Sequence, residues 1–191
     1  MTWKISKEFE FCYGHRVWSQ ELNADFSLDP CLKCRHLHGH QGKVIIYLEA
    51  TKLENGMVTD FKHLNWFKAF LDDVLDHKFI IDINDPLFST LLPHYKKEEL
   101  IAMPQGHMLV DLTKIEKEPA HIKEMYEGYV LVDFVPTSEN LSAWFLTIAS
   151  AKMSELNVAV SQVEFAETPK SKSNVYAWDQ WDFWSNYSRR R

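Results

Sequence analysis

Residues Trp3 to Tyr13 place Trp3, Ile5, Phe9, Phe11 and Tyr13 at odd positions, with Lys4, Ser6, Glu8 and Glu10 between them. A period of two sends alternate side chains to opposite faces of an extended chain, so this segment predicts a half-buried strand. A loop rich in turn residues follows from Ser19 to about Lys33. A second strand is predicted from about His38 to Ala50, with the β-branched and aromatic run Val44-Ile45-Ile46-Tyr47 at its centre. The pair reads as antiparallel neighbours joined by a long connection.

Asp60 can cap a helix beginning at Phe61, whose apolar stripe is Phe61, Leu64, Phe67, Leu71, Val74 and Leu75. The helix gives way to Asp76-His77 and an apolar stretch, Phe79-Ile80-Ile81. A third strand is predicted over Tyr129 to Val135, ended by Pro136. Thr137-Ser138-Glu139-Asn140 starts a helix that runs to about Glu155, with Leu141, Trp144, Phe145 and Ile148 on one face. The last strand covers Val158 to Glu167. The order β-β-α-β-α-β belongs to the α+β class. Between Asn84 and Gly128 lies a polar stretch with Pro86, Pro93, Pro104 and Pro119 and weak periodicity. About 45 residues barely support a core of their own, so residues 1–191 are read as one domain with an insertion at about 84–128.

Hydrophobic residues are 46% of the chain, enough for an ordinary core. No window approaches the roughly 18 apolar residues of a membrane span, and the first residues hold no signal-like apolar run, so a cytoplasmic protein is expected. The 21 basic against 27 acidic residues give a net charge of −6, which argues against a nucleic-acid partner. Arg189, Arg190 and Arg191 read as a solvated tail, and Trp178, Trp181, Phe183 and Trp184 as packing against the body or a neighbouring subunit. Three cysteines, an odd number, cannot complete a disulfide framework and point to thiols free for metal binding or catalysis. Cys12, inside the first strand, reads as a packing residue.

The stretch from Cys31 through Cys34 and His36 to His38-Gly39-His40 carries the most chemistry. Residues two apart on a strand share a face, so His38 and His40 can converge on one metal ion. On a helix they would diverge by about 200°. His15 ends the first strand with the parity of Phe9 and Phe11 and can reach the same face if the strands pair. Gly39 permits a close approach of backbone or ligand. Three neutral imidazoles with an open fourth position describe a catalytic zinc site. Spacing alone equally permits a closed, structural Cys2His2 site from Cys31, Cys34, His38 and His40, as in a non-catalytic zinc-stabilised binding module.

Beyond these residues, Gly14-His15, Cys34-Arg35-His36-Leu37-His38-Gly39-His40, Gly56-Met57-Val58-Thr59-Asp60-Phe61, Leu75-Asp76-His77, Pro136-Thr137-Ser138-Glu139-Asn140 and Glu167-Thr168 occur in order. Together they resemble the signature set of the 6-pyruvoyl-tetrahydropterin synthase superfamily, which includes 6-carboxytetrahydropterin synthase. The resemblance covers roughly Trp3 to Ile83 and Tyr129 to Tyr176 and leaves the insertion unmatched. It implies a tunnelling (T-) fold: an antiparallel four-stranded sheet with two helices on one face. It also implies a homo-oligomer, trimer or hexamer, with active sites between subunits. Zn2+ would be bound by His15, His38 and His40.

The resemblance also assigns roles. Cys34 stands where the family carries its catalytic cysteine. A thiolate beside zinc and Arg35 would suit proton abstraction. Cys31 departs from the family pattern. Asp76 and His77 match a proton-relaying pair that works with the cysteine of a neighbouring subunit. Glu167 matches the residue that grips the amino-pyrimidine edge of the pterin, and Thr137 and Ser138 lie among its further pterin contacts, though either could simply cap a helix. The implied reaction converts 7,8-dihydroneopterin triphosphate to 6-carboxy-5,6,7,8-tetrahydropterin with loss of acetaldehyde and triphosphate, a step toward 7-deazaguanine compounds and queuosine. The alternative product is 6-pyruvoyltetrahydropterin. His36, His63, His94, His107 and His121 show no partner pattern and default to the surface, with His36 or Arg35 available to phosphates.

Overall fold

The odd-position residues of the first strand are the half-buried and buried ones, as their spacing requires. In β1 (Trp3–His15) burial alternates along the strand, and Phe9, Phe11, Tyr13 and His15 are buried. The computed structural model describes residues 1–177. The tryptophan-rich tail at Trp178, Trp181, Phe183 and Trp184 and the Arg189–Arg191 cluster lie outside those residues. The chain divides into two compact units. Of the described residues, one comprises 1–10, 41–71 and 138–177, the other 11–40 and 72–137.

In the first unit, β2 (His38–Ala50) pairs antiparallel with β7 (Ala159–Thr168), from Lys43 opposite Ala166 to Glu49 opposite Ala159. β7 in turn pairs antiparallel with β8 (Ser171–Tyr176), a strand absent from the sequence reading. Asp60 caps the first helix as expected, its carboxylate accepting the Lys62 N–H at 2.7 Å. That helix is built in three gauges: a 3-10 turn at Phe61–Leu64, α1 (Asn65–Phe70) and a π-helical turn at Leu71–Leu75. The second long helix, α4 (Ser138–Ser154), matches its expected span. Phe145 of α4 meets Phe67 of α1 and Phe165 of β7 edge-on, each at 5.7 Å between ring centroids. This aromatic contact is the two-helices-on-a-sheet packing that the apolar stripes predict.

In the second unit the expectation of a purely antiparallel sheet fails. β3 (Lys78–Asp82) lies parallel to β1, with Tyr13 opposite Lys78 and Gly14 opposite Phe79. β6 (Tyr129–Val132) lies parallel to β3, from Phe79 opposite Tyr129 to Asp82 opposite Val132. Ile80-Ile81 and Val130-Leu131-Val132 are buried at consecutive positions. Burial on both faces is the signature of parallel strands, and the long 83–128 connection supplies the crossover they need. That connection adds β4 (Ile101–Ala102), β5 (Met108–Leu109), α2 (Phe88–Leu91) and α3 (Ala120–Glu127). Its side chains Phe88, Leu92, Tyr95, Ile115 and Tyr126 form a buried cluster with Ile81 and Leu131. The strand order is β4-β5-β6-β3-β1 in the second unit and β1-β2-β7-β8 in the first, eight strands of mixed direction in place of the expected four antiparallel strands. Short apolar runs such as Phe79-Ile80-Ile81 have no periodicity to announce them, and β8 is largely polar, so both escape a pattern reading.

Candidate metal centre

His15 is the last residue of β1, and His38 and His40 open β2. Their ligand nitrogens all lie within 4.8 Å of one another. Ring centroids are 4.5 Å apart for His15–His38, 5.1 Å for His15–His40 and 4.9 Å for His38–His40. His15 is fully buried and the other two half-buried, so the group has a protected side and an open one. Two glycines make the geometry. A Cβ on Gly39 would lie 2.9 Å from the Tyr13 carbonyl oxygen, so only glycine lets the two ligand-bearing strands close at this point. A Cβ on Gly14 would meet the Phe79 ring at 2.3 Å, so glycine also admits β3 beside the end of β1.

The tautomers follow from the acceptors. His15 Nδ1 lies 2.6 Å from the Pro136 carbonyl and His38 Nδ1 2.8 Å from that of His36. A carbonyl can only accept, so both Nδ1 atoms donate and both Nε2 atoms of the neutral rings present lone pairs. Those Nε2 atoms face each other at 3.1 Å. Burial holds His15 down to a pKa of about 4, aided by His38 and His40 and opposed by the Pro136 carbonyl. His40 is lowered too, by burial first and by His38 second. Two lone pairs at that distance repel unless a cation lies between them, and a third imidazole in the same space is the donor set of a metal. Tetrahedral zinc with Zn–N of ~2.0–2.1 Å separates its nitrogens by about 3.3 Å, close to the 3.1 Å between the Nε2 atoms of His15 and His38. The residues fit the ion that the resemblance implies.

Among the described residues no cysteine or carboxylate belongs to this group. The closed Cys2His2 alternative is therefore not formed. Cys31 sits apart, its N–H donating to the Asp29 carboxylate at 2.9 Å and its thiol exposed. Cys34 lies in the 3-10 turn Lys33–Arg35 with a half-buried thiol. Cys12 is exposed rather than packed, because its even position puts it on the solvated face of β1.

Asp76 and His77 touch, although adjacent residues need not. His77 Nδ1 meets Asp76 Oδ2 at 2.8 Å, and Asp76 Oδ1 accepts the Cys12 N–H at 2.7 Å. His77 is held at φ +59°, its own N–H donating to the Cys12 carbonyl at 2.7 Å. The left-handed backbone is uncommon outside glycine and is tied down here by β1. The imidazole remains 79% exposed. Glu167 falls where the β7–β8 register shifts, between Ala166 opposite Lys172 and Thr168 opposite Ser171. A bulge of this kind re-aims a side chain. Thr137 and Ser138 are half-buried at the start of α4, and the Ser138 carbonyl accepts from Ser173 Oγ at 2.7 Å. His107, expected at the surface, is buried. The carbonyls of His36 and Pro136, which orient two ligands, carry no side-chain signal that a sequence could show.

Fold and centre together define a class: an α+β protein with a three-histidine group able to hold a metal ion. The chain belongs to the 6-pyruvoyl tetrahydropterin synthase family, whose profile matches residues 4–177. It is 33% identical over 184 residues to the 6-carboxy-5,6,7,8-tetrahydropterin synthase of Aquifex aeolicus, covering 91% of this chain and 97% of that protein. A crystal structure of an uncharacterized protein from Wolinella succinogenes is 60% identical, with a TM-score of 0.91 over 93% of this chain and 99% of that one. The 6-pyruvoyl tetrahydropterin synthase of Caenorhabditis elegans, 19% identical, shares the fold at a TM-score of 0.54 over 93% of this chain and 96% of its own.

Proposed function

We propose that this chain is a zinc-dependent lyase converting 7,8-dihydroneopterin triphosphate to 6-carboxy-5,6,7,8-tetrahydropterin, with release of acetaldehyde and triphosphate, in the cytoplasmic synthesis of 7-deazaguanine compounds such as queuosine. The observation that carries the reading is the convergence of His15, His38 and His40 in a chain similar over nearly its whole length to a protein of that name. The three imidazoles would hold Zn2+, which when bound supplies Lewis-acid polarisation of a substrate hydroxyl. Cys34 takes the proton from the adjacent side-chain carbon. Asp76 holds the Nδ1–H of His77 and stabilises its imidazolium, leaving Nε2 free to give or receive a proton.

Glu167 grips the pterin's amino-pyrimidine edge through paired hydrogen bonds, with Thr137 and Ser138 as further contacts. The bulge at Glu167 and the exposure of His77 beside a half-buried Asp76 support these roles, the latter suiting action in a neighbouring subunit's site of a trimer or hexamer. The profile match from 4 to 177 supports one T-fold domain carrying the 84–128 insertion. The test is incubation of the zinc-loaded protein with 7,8-dihydroneopterin triphosphate, followed by mass spectrometry of the pterin and trapping of acetaldehyde. Carboxypterin and acetaldehyde in equal amounts are expected. A pyruvoyl product without acetaldehyde assigns the other branch, and no turnover by a zinc-replete protein sinks the enzymatic reading.

A further inference from the structure

The loop that carries Cys34 is bound at both of that residue's backbone groups, and the bonds lead to two buried carboxylates. Val17, Trp18, Ser19 and Gln20 form a turn closed by the Gln20 N–H on the Val17 carbonyl at 3.1 Å. The turn holds Cys34 from two sides. Gln20 Oε1 accepts the Cys34 N–H at 3.0 Å, and the Val17 N–H donates to the Cys34 carbonyl at 2.7 Å. The Gln20 carbonyl also accepts from Arg35 Nε at 2.9 Å, which ties the neighbouring guanidinium to the same strap.

The turn is itself fixed. Arg16, just before it, forms an ion pair with Asp85, Nε to Oδ2 at 3.1 Å without hydrogen-bond alignment, and Trp18 Nε1 donates to Asp82 Oδ2 at 2.8 Å. Asp82 ends β3 and Asp85 follows it, and both are buried, 2% and 4% exposed. Buried carboxylates are costly unless bonded, and each is bonded further within its own segment. Asp82 Oδ1 accepts the Asn84 N–H at 2.8 Å and Asp85 Oδ1 the Leu87 N–H at 2.7 Å. Each carboxylate therefore keeps one oxygen for the β3 end and turns the other to the strap. The 3-10 turn Lys33–Arg35 buries no side chain of its own, so hydrogen bonds rather than apolar packing set where Cys34 stands.

We propose that Gln20 is a positioning residue for Cys34, held in place by Asp82 through Trp18 and by Asp85 through Arg16. The inference rests on Cys34 being the base of the proposed lyase. A displacement of about 1 Å in a reacting group can lower a rate by up to about 100-fold without touching substrate affinity.

The experiment compares Gln20→Leu, Gln20→Glu and Cys34→Ala in the full-length, zinc-loaded protein with 7,8-dihydroneopterin triphosphate, alongside zinc content and melting temperature. Glutamate keeps an acceptor oxygen for the Cys34 N–H, whereas leucine removes it. The expected result is a kcat about tenfold lower for Gln20→Leu with KM unchanged, most of it restored in Gln20→Glu, and zinc content the same in all. Equal losses in the leucine and glutamate variants, or a fall confined to melting temperature, overturn the assignment, as does normal kcat in Gln20→Leu beside an inactive Cys34→Ala. An active Cys34→Ala instead removes the lyase reading of Cys34, and this inference with it. Should Gln20→Leu not fold, Trp18→Phe deletes only the indole donor to Asp82. There, a kcat about threefold lower at constant KM supports the strap, and an unchanged kcat overturns it.

Discussion

His15 and His38 face one another through their Nε2 atoms at 3.1 Å, while each Nδ1 is bonded to a backbone carbonyl. In the metal-free protein that contact is repulsive, and a bound divalent ion converts it into coordination. Adding Zn2+ to chelator-stripped protein is therefore expected to raise the melting temperature. At about 100-fold excess over Kd the gain is about 2.7 kcal/mol, or roughly 5–10 °C for a chain of this size. Scanning calorimetry checks it. His15→Ala, His38→Ala and His40→Ala should each abolish the shift and the bound zinc. Cys31→Ser and Cys34→Ala should keep both.

The depressed pKa of His15 has a consequence for the metal-free protein. Its folded value of about 4 lies below the ordinary 6.5, so between these values the unfolded chain binds a proton that the folded chain refuses. Stability is full above pH 6.5 and falls as pH drops toward 4, and the lowering of His40 acts in the same direction. From pH 7 to pH 5 the His15 contribution to the loss is about 2 kcal/mol. Urea denaturation of the stripped protein at the two pH values measures it, and a His15→Gln variant should lack that share of the slope.

Asp76→Asn separates the dyad from the fold. Asparagine keeps a carbonyl oxygen for the Cys12 N–H and therefore turns its amide NH2, a donor, to His77 Nδ1, so the imidazole loses both its acceptor and the neighbouring negative charge. We expect kcat to fall on the order of 10²–10⁴-fold with zinc content unchanged and melting temperature little moved. Steady-state kinetics with metal analysis tests this, and unaltered kcat would remove the relay role.

Gly39→Ala tests the approach of the two ligand strands. Its Cβ would lie 2.9 Å from the Tyr13 carbonyl, a backbone atom that cannot swing aside. A loss of about 1–3 kcal/mol is expected, accompanied by weaker zinc binding because His38 and His40 move away from His15 together. Competition with a chromophoric chelator reads the affinity. Wild-type affinity in this variant would mean that the strands do not set the ligand spacing.

Glu167→Gln should raise KM for the pterin at least tenfold while leaving zinc content intact, since an amide cannot pair two donors as a carboxylate does. Initial rates over a range of substrate concentrations decide it.

Local patterns in the chain already contained β1, β2, α4 and the Asp60 cap, because each depends on neighbours within a few residues. The alternation from Trp3 to Tyr13 and the shared parity of His38 and His40 determined which side chains could meet on one face. Tertiary structure decided the rest, where the partner is far along the chain. Only folding sets the Pro136 carbonyl against His15 or Asp76 against the Cys12 N–H, at separations of 121 and 64 residues. Only folding inserts β3 and β6 as parallel strands, since a short apolar run buried on both faces has no period to distinguish it. The sequence by itself thus determined which chemical groups this protein has and which face each can take. Long-range hydrogen bonds and packing decided which of them stand together, because those contacts form between residues that no local pattern connects.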